Sequence, residues 1–168
     1  MKNVIALGLA LVSSLAIAHA QHAHSHGVGE LGIVVEKDQL TVLLEIPQHD
    51  VVGFERAPKS AREQVTVQAA LEKLGQAERL LVPSAAGQCT LIDKVVEAPL
   101  LTGGKAAEGH ADVSARYVWR CAQPAALKEV KVNVMGEFKR VRSLNVSFAG
   151  PQGQKAGRID AKNPRFAW

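Results

Sequence analysis

Alternating apolar and polar positions dominate the chain up to Pro47. Apolar residues recur at every second position over residues 31–35 and again over residues 40–46. A period of two is typical of β-strands that bury one face. Because Lys37 and Asp38 separate the two runs, the pattern predicts a β-hairpin that ends at Pro47.

The period changes after Ser60. Ser60 and Glu63 have the spacing of a capping box, in which each residue bonds to the backbone of the other at the start of a helix. Apolar residues then follow at helical spacing, and Gly75 stands where the helix is expected to end. We predict one amphipathic helix here and a second short helical turn through Leu80, which Pro83 stops.

Four later runs predict further strands. They cover residues 89–97, 111–121, 130–134 and 144–148. The second run has the most regular alternation, and it places Cys121 on the apolar face with Tyr117 and Trp119. Several antiparallel-type strands with one principal amphipathic helix predict an α+β fold in a single compact domain.

Residues 98–109 have no hydrophobic period and contain the pair Gly103-Gly104. This composition predicts a flexible loop. Its Gly-Gly-Lys sequence is not a phosphate-binding loop, because Lys105 is followed by Ala106 where a magnesium-binding Ser or Thr is required.

The N-terminus has the pattern of an export signal. The positively charged Lys2 precedes a stretch of small and apolar residues over 4–17, and an Ala-His-Ala tripeptide follows. This pattern predicts a cleavable signal peptide over residues 1–20, cut after Ala20, with residues 21–168 as the exported domain.

Export to the periplasm is therefore the expected localisation. No second apolar run approaches the ~20 residues of a membrane-spanning helix, so we expect a protein that is not embedded in the membrane. Removing residues 1–20 takes one of the 20 basic residues and leaves the 16 acidic ones, for a net charge of +3.

Composition argues against a nucleic-acid partner. The sequence pI is about 9.2, but acidic and basic residues alternate along the chain and form no basic stripe. Aromatic residues, which stack on bases, make up only 4% of the chain.

No sequence motif for catalysis appears. The chain contains no Gly-x-Ser-x-Gly, no His-Glu-x-x-His and no cluster of acids. His49 and Asp50 could form half of a catalytic pair, but no nucleophile motif accompanies them, so a turn after Pro47 is the better interpretation. We therefore expect a protein that is not an enzyme.

Cys89 and Cys121 are the two cysteines. An even pair in an exported chain predicts a disulfide, which here would join two predicted strands. The alternative, a pair of thiolate metal ligands, requires reduced cysteines and is disfavoured in an oxidising compartment.

Histidines supply the densest candidate chemistry. His22, His24 and His26 alternate, so in an extended segment their rings share one face. His110 and Asp112 repeat this spacing at the start of a predicted strand. Two such groups would give zinc the four nitrogen and oxygen ligands that it prefers. The alternative is a solvated tail in which these histidines hold no metal.

The combination of motifs resembles a known family. It consists of His24-Ser25-His26-Gly27 before the hairpin, residues 52–58 before the helix, His110-Ala111-Asp112 with Tyr117 and Cys121, residues 123–128 and the closing residues 165–168. Together these motifs, spread over nearly all of residues 21–168, resemble the ZrgA-like periplasmic proteins related to zinc uptake, a family long catalogued as a domain of unknown function.

The resemblance implies a periplasmic zinc-binding accessory to zinc import, with the His-x-His-Gly and His-x-Asp motifs as plausible ligands. The expected partners are the Zn²⁺ ion and a zinc ABC importer or its binding protein. Two features depart from the family: residues 98–109 lack its histidine- and acid-rich loop, and Arg56 stands where histidine is common. Both departures argue against a high metal capacity.

Two alternatives stay open at this point. One is a structural or interaction protein whose histidines are incidental. The other is periplasmic copper binding, because imidazole also suits copper. Cleavage after Ala20 would make His22 the second residue instead of the third, so the familiar amino-terminal copper site would be absent.

Overall fold

The computed structural model describes residues 25–105 and 111–168, and these contain nine β-strands and four α-helices. The strands are β1 (Val28–Glu36), β2 (Gln39–Pro47), β3 (Leu81–Pro83), β4 (Cys89–Glu97), β5 (Asp112–Cys121), β6 (Glu129–Val132), β7 (Ser143–Gly150), β8 (Gly153–Asp160) and β9 (Arg165–Ala167). The helices are α1 (Gln48–Val52), α2 (Ala61–Leu74), α3 (Ala77–Leu80) and α4 (Val134–Glu137). Single 3₁₀ turns occur at Ala85–Gly87 and Pro124–Ala126.

Six strands form one sheet in the order β4-β5-β2-β1-β7-β8, and three form a smaller sheet in the order β3-β6-β9. Neighbouring strands are antiparallel except for β1 and β7, which are parallel. The prediction of an α+β fold with mainly antiparallel strands is confirmed. The predicted hairpin is confirmed too, since Glu36 lies opposite Gln39 across a tight turn.

One face of the large sheet carries the core. The alternate residues of β1, β2, β5 and β7 that point to this face are almost fully buried, and they form a single cluster with apolar residues of the helices and the small sheet. Tyr117 in β5 links the layers, because its hydroxyl donates a hydrogen bond of 2.8 Å to the carbonyl of Leu74 in α2. Burial raises the pKa of Tyr117 above its usual range.

The principal helix α2 begins as the sequence predicts. The Ser60 hydroxyl accepts a 3.2 Å hydrogen bond from the backbone N–H of Glu63. The Glu63 carboxylate in turn accepts a 2.6 Å bond from the backbone N–H of Lys59. Val67, Ala70 and Leu74 form the buried side of the helix, and α3 follows it as predicted.

Four features differ from the prediction. Strands β3, β8 and β9 were not predicted, and Val134 begins α4 instead of ending a strand. β8 is an edge strand with mainly exposed side chains, so it lacks the alternation that marks a strand with one buried face. β3 and β9 have three residues each, too few for a period to show.

Cys89 and Cys121 form the predicted disulfide and lie directly opposite each other on β4 and β5. In the predicted loop, the described residues 98–105 form a turn that buries Ala98 and Leu101, and the remainder of the loop lies outside the described residues. The predicted signal peptide also lies outside them. No helix in residues 25–105 and 111–168 is both long and apolar enough to span a membrane.

Candidate metal centre

The short helix α1 carries His49 and Asp50 directly after the hairpin. It ends at Gly53, whose φ of +92° is a left-handed conformation that glycine adopts at low cost. The N–H of Gly53 donates a 2.7 Å hydrogen bond to the carbonyl of His49. The prediction of a simple turn after Pro47 is therefore wrong, because helical bonds close this segment and bury Asp50.

A tight turn places His26 just before β1. The N–H of Val28 donates to the carbonyl of Ser25 at 3.0 Å, and Gly27 between them has a φ of +84°. From sequence, His26 was expected in an extended segment, whereas the structure places it in this turn. The direction of the His26 ring is therefore set by the turn and not by the pleat of the strand.

Arg142, just before β7, holds this turn from the other side. Its side chain donates a 2.7 Å hydrogen bond to the carbonyl of His26, and its backbone N–H donates a 2.8 Å bond to the carbonyl of Gly27. The backbone on both sides of the turn is thus fixed to the body of the domain.

One hydrogen bond joins the turn to α1. The N–H of Gly27 donates to Oδ2 of Asp50, which is 2% exposed. The rings of His26 and His49 meet edge to face with centroids 4.5 Å apart. One potential ligand atom from each of His26, His49 and Asp50 lies within 4.8 Å of the other two, a spacing suited to a single metal ion.

The donor chemistry of this cluster fits a metal ion. Nδ1 of His49 is buried and has no hydrogen-bond partner among the described residues, although Oδ1 of Asp50 lies 3.5 Å away. A buried ring nitrogen without a partner is costly, and a bound cation would satisfy it. Two imidazoles and a carboxylate are ligand types that zinc accepts.

A second carboxylate lies at the rim of the cluster. Oε1 of Glu55 is 3.7 Å from Nε2 of His26, and both side chains are about half exposed, at 47% and 56% respectively. Glu55 belongs to the loop between α1 and α2. Arg56, the next residue of this loop, is fixed to α2, because its guanidinium makes two hydrogen bonds of 2.9 and 2.7 Å to Glu63. This contact and the N–H of Lys59 lower the pKa of Glu63 to about 2.

Comparison with known families adds the biological context. A model of the ZrgA family of zinc uptake proteins matches residues 23–168, nearly the whole chain. The chain belongs to the ZrgA family. The search of curated proteins gives no match.

In this ZrgA family chain, two of the five predicted ligands lie among the described residues. His26 contributes to the cluster. Asp112 is the first residue of β5, where it pairs with Pro47, and it is not one of the three clustered residues. His22, His24 and His110 lie outside the described residues, so their predicted role in metal binding stays a prediction.

The sequence contained a signal for His49 and Asp50 that the prediction missed. In the hairpin, Glu30 pairs with Glu45, and counting four residues outward along both strands leads to His26 and His49. Residues before the first strand and after the second strand of a hairpin meet at the same edge. The register of the hairpin alone could therefore have placed His26 beside His49 in this ZrgA family chain.

Proposed function

We propose that the protein is an exported zinc-binding factor of zinc uptake, which buffers the ion or passes it to an importer. The observation that carries this proposal is the cluster of His26, His49 and Asp50 in a chain of a zinc uptake family. Location in the periplasm and contact with a zinc ABC importer or its binding protein are parts of the proposal.

The number and the exposure of these ligands suit a zinc ion that the protein must release again. Three protein donors leave a fourth position of a tetrahedral zinc ion to water or to another ligand. The His26 side chain is 56% exposed and that of His49 is 40% exposed, so an acceptor could reach the ion from solvent. Asp50 instead is buried and fixed through the N–H of Gly27.

Zinc titration by calorimetry tests the site. We expect one high-affinity ion per tag-free protein, and a large loss of affinity in His26→Ala and His49→Ala. Asp50→Asn is the sharper variant, because an amide oxygen can still accept the bond from Gly27 while the charge is lost. Glu78→Ala, which removes an exposed acid elsewhere, is the matched control. Unchanged affinity in all three cluster variants would contradict the proposed site.

A second set of variants tests the residues predicted from sequence. His24→Ala, His110→Ala and Asp112→Ala should weaken binding if these residues complete the same site. If the N-terminal histidines instead form an independent tail site, deleting residues 21–24 will remove one class of binding and leave the His26, His49 and Asp50 class intact.

Relative affinity will not separate zinc from copper, because copper(II) binds most imidazole sites more tightly than zinc(II). The metal content of protein isolated from periplasm does separate them. We expect zinc there and no turnover of ester, phosphate or peptide substrates. Copper as the main metal, or metal-dependent hydrolysis lost in His49→Ala, would contradict the proposal.

A further inference from the structure

Gln48 is one of three polar or charged residues that are buried in the described part of the chain, at 1% exposure. Its side-chain amide donates two hydrogen bonds, of 3.1 Å to the carbonyl of Phe54 and 2.9 Å to the carbonyl of Arg56. Its backbone N–H donates a 2.7 Å bond to the carbonyl of Ala111. One residue thus ties α1 both to the following loop and to the start of β5.

The two bonded carbonyls flank Glu55. The backbone of Glu55 is therefore held on both sides by one buried amide, while its side chain remains 47% exposed. Its carboxylate is 3.7 Å from Nε2 of His26, at the exposed side of the metal centre. Both donor hydrogens of the buried amide are thus satisfied by the backbone on either side of Glu55.

We propose that Glu55 supplies a fourth protein ligand to the metal centre and that Gln48 is the positioning residue that holds Glu55 there. This inference rests on the proposed function, since it assumes a metal ion at His26, His49 and Asp50. Zinc commonly takes four ligands, and the three clustered residues leave one position to fill. A half-exposed carboxylate is suited to be the ligand that releases first when the ion is passed on.

The side-chain amide is what the positioning requires. Both partners of Gln48 are carbonyls, so only a donor can bond to them. An ionised glutamate of the same shape has no donor, and methionine of similar length has none either. Outer-shell residues that orient metal ligands typically change metal affinity by about 10- to 100-fold when they are replaced.

Gln48→Glu separates positioning from electrostatics. A negative charge added near a cation would tighten zinc binding if charge alone mattered, whereas loss of the two donor bonds should weaken it. We expect zinc affinity to fall about tenfold or more in Gln48→Glu. Gln48→Met, which adds no charge, should show a similar fall and covers the case in which a buried glutamate prevents folding.

A double-mutant cycle tests whether Gln48 acts through Glu55. Glu55→Gln should weaken zinc binding by about 10- to 100-fold, and adding Gln48→Met to it should cost little further affinity. The unfolding temperature, measured without metal, should fall in Gln48→Met in both backgrounds. A purely structural Gln48 would lower the temperature in the same way but would show no coupling to Glu55 in affinity.

The failure of this inference differs from the failure of the proposed function. If wild-type protein binds zinc through His26 and His49 while Glu55→Gln binds equally well, Glu55 is not a ligand and the inference is wrong. If Glu55→Gln binds zinc more weakly than wild type, but the affinity losses of Glu55→Gln and Gln48→Met add in the double variant, Glu55 is a ligand and the positioning role of Gln48 is wrong. Wild-type protein without zinc affinity would overturn both.

Discussion

Gly27 sets the geometry of the candidate metal centre at the scale of a single residue. Its φ of +84° turns the chain between His26 and β1, and its N–H bonds to the buried carboxylate of Asp50. A Cβ at this position would lie 2.3 Å from Nε of Arg142, the residue whose side chain holds the carbonyl of His26. The backbone conformation therefore favours glycine here, and a Cβ would displace the Arg142 guanidinium from its place beside the turn.

Gly27→Ala should lower both stability and zinc affinity. A non-glycine residue at positive φ costs about 1 to 3 kcal/mol, and displacing Arg142 removes a further contact to His26. Urea unfolding and zinc calorimetry on the same preparation measure the two effects. Gly136→Ala is the control, because a Cβ there meets nothing within 4 Å. Zinc affinity unchanged in Gly27→Ala would show that the turn does not position His26.

At the scale of the element, the start of α2 depends on the charged side chain of Glu63. The capping-box spacing between Ser60 and Glu63 already indicates this role in the sequence. The structure adds Arg56 as a partner that reaches Glu63 from the loop beside the candidate metal centre. The same carboxylate thus caps α2 and fixes one end of the loop that carries Glu55. Arg56 stands where the resemblance implied histidine, and here it has a defined structural contact with Glu63.

Acid should weaken the contacts that Glu63 makes at the start of α2. The pKa of Glu63 is lowered from its ordinary value of 4.5 to about 2, so its ionised form is favoured in the folded state. The stability that it contributes is therefore fully present above about pH 4.5 and is lost as pH falls towards 2. The difference in unfolding temperature between wild type and Glu63→Gln should shrink over this interval. A constant difference from pH 6 to pH 2 would contradict the assignment.

The disulfide acts on a second element, the pair of strands β4 and β5. It closes a loop with a sequence separation of 32 residues, for which the chain-entropy model gives ~3 to 4 kcal/mol. Replacing Cys89 and Cys121 with alanine should lower the free energy of unfolding by about 2 to 5 kcal/mol, measured in urea. Zinc affinity should change little, because neither sulfur belongs to the metal cluster. Unchanged stability in the double variant would refute this prediction.

The elements that sequence predicted well are those with a strong local signal. The β1–β2 hairpin and β5 alternate regularly, and α2 carries its own cap, so each pattern could be recognised without knowledge of its neighbours. β8 lacked such a signal because its side chains are mostly exposed.

Of the candidate cluster of His26, His49 and Asp50, only His26 was among the ligands predicted from sequence, and the reason is physical. His26 was found from its spacing to other histidines, whereas the burial of Asp50 depends on a bond to Gly27 that is distant in sequence. His26 was expected in an extended segment, whereas the chain turns at Gly27, whose φ is positive. A site built across a hairpin register becomes visible only when the two ends of the hairpin are considered together.

At the scale of the whole molecule, the candidate centre lies where three strands of the large sheet reach one edge. β1 begins there, β2 ends there, and β5 begins opposite Pro47. The bonds from Gln48 to Ala111 and from Arg142 to His26 join this edge to β5 and β7. A metal ion that bridges His26 to α1 would therefore connect the segment before the first strand to the centre of the sheet.

Zinc should stabilise the folded protein, and most strongly at this edge. A ligand that binds only the folded state adds about 2.7 kcal/mol at a free concentration 100 times its Kd. Hydrogen exchange should slow at the N–H of Gly27, which bonds to Asp50, more than at amides of β6 and β9. Because zinc competes with protons for imidazole nitrogens, the stabilisation should be weaker in acid than at neutral pH. The matched control is His26→Ala, in which zinc should leave the exchange rate of Gly27 unchanged. Equal slowing across both sheets, or an equal effect at pH 5 and pH 7.5, would indicate binding elsewhere than at His26 and His49.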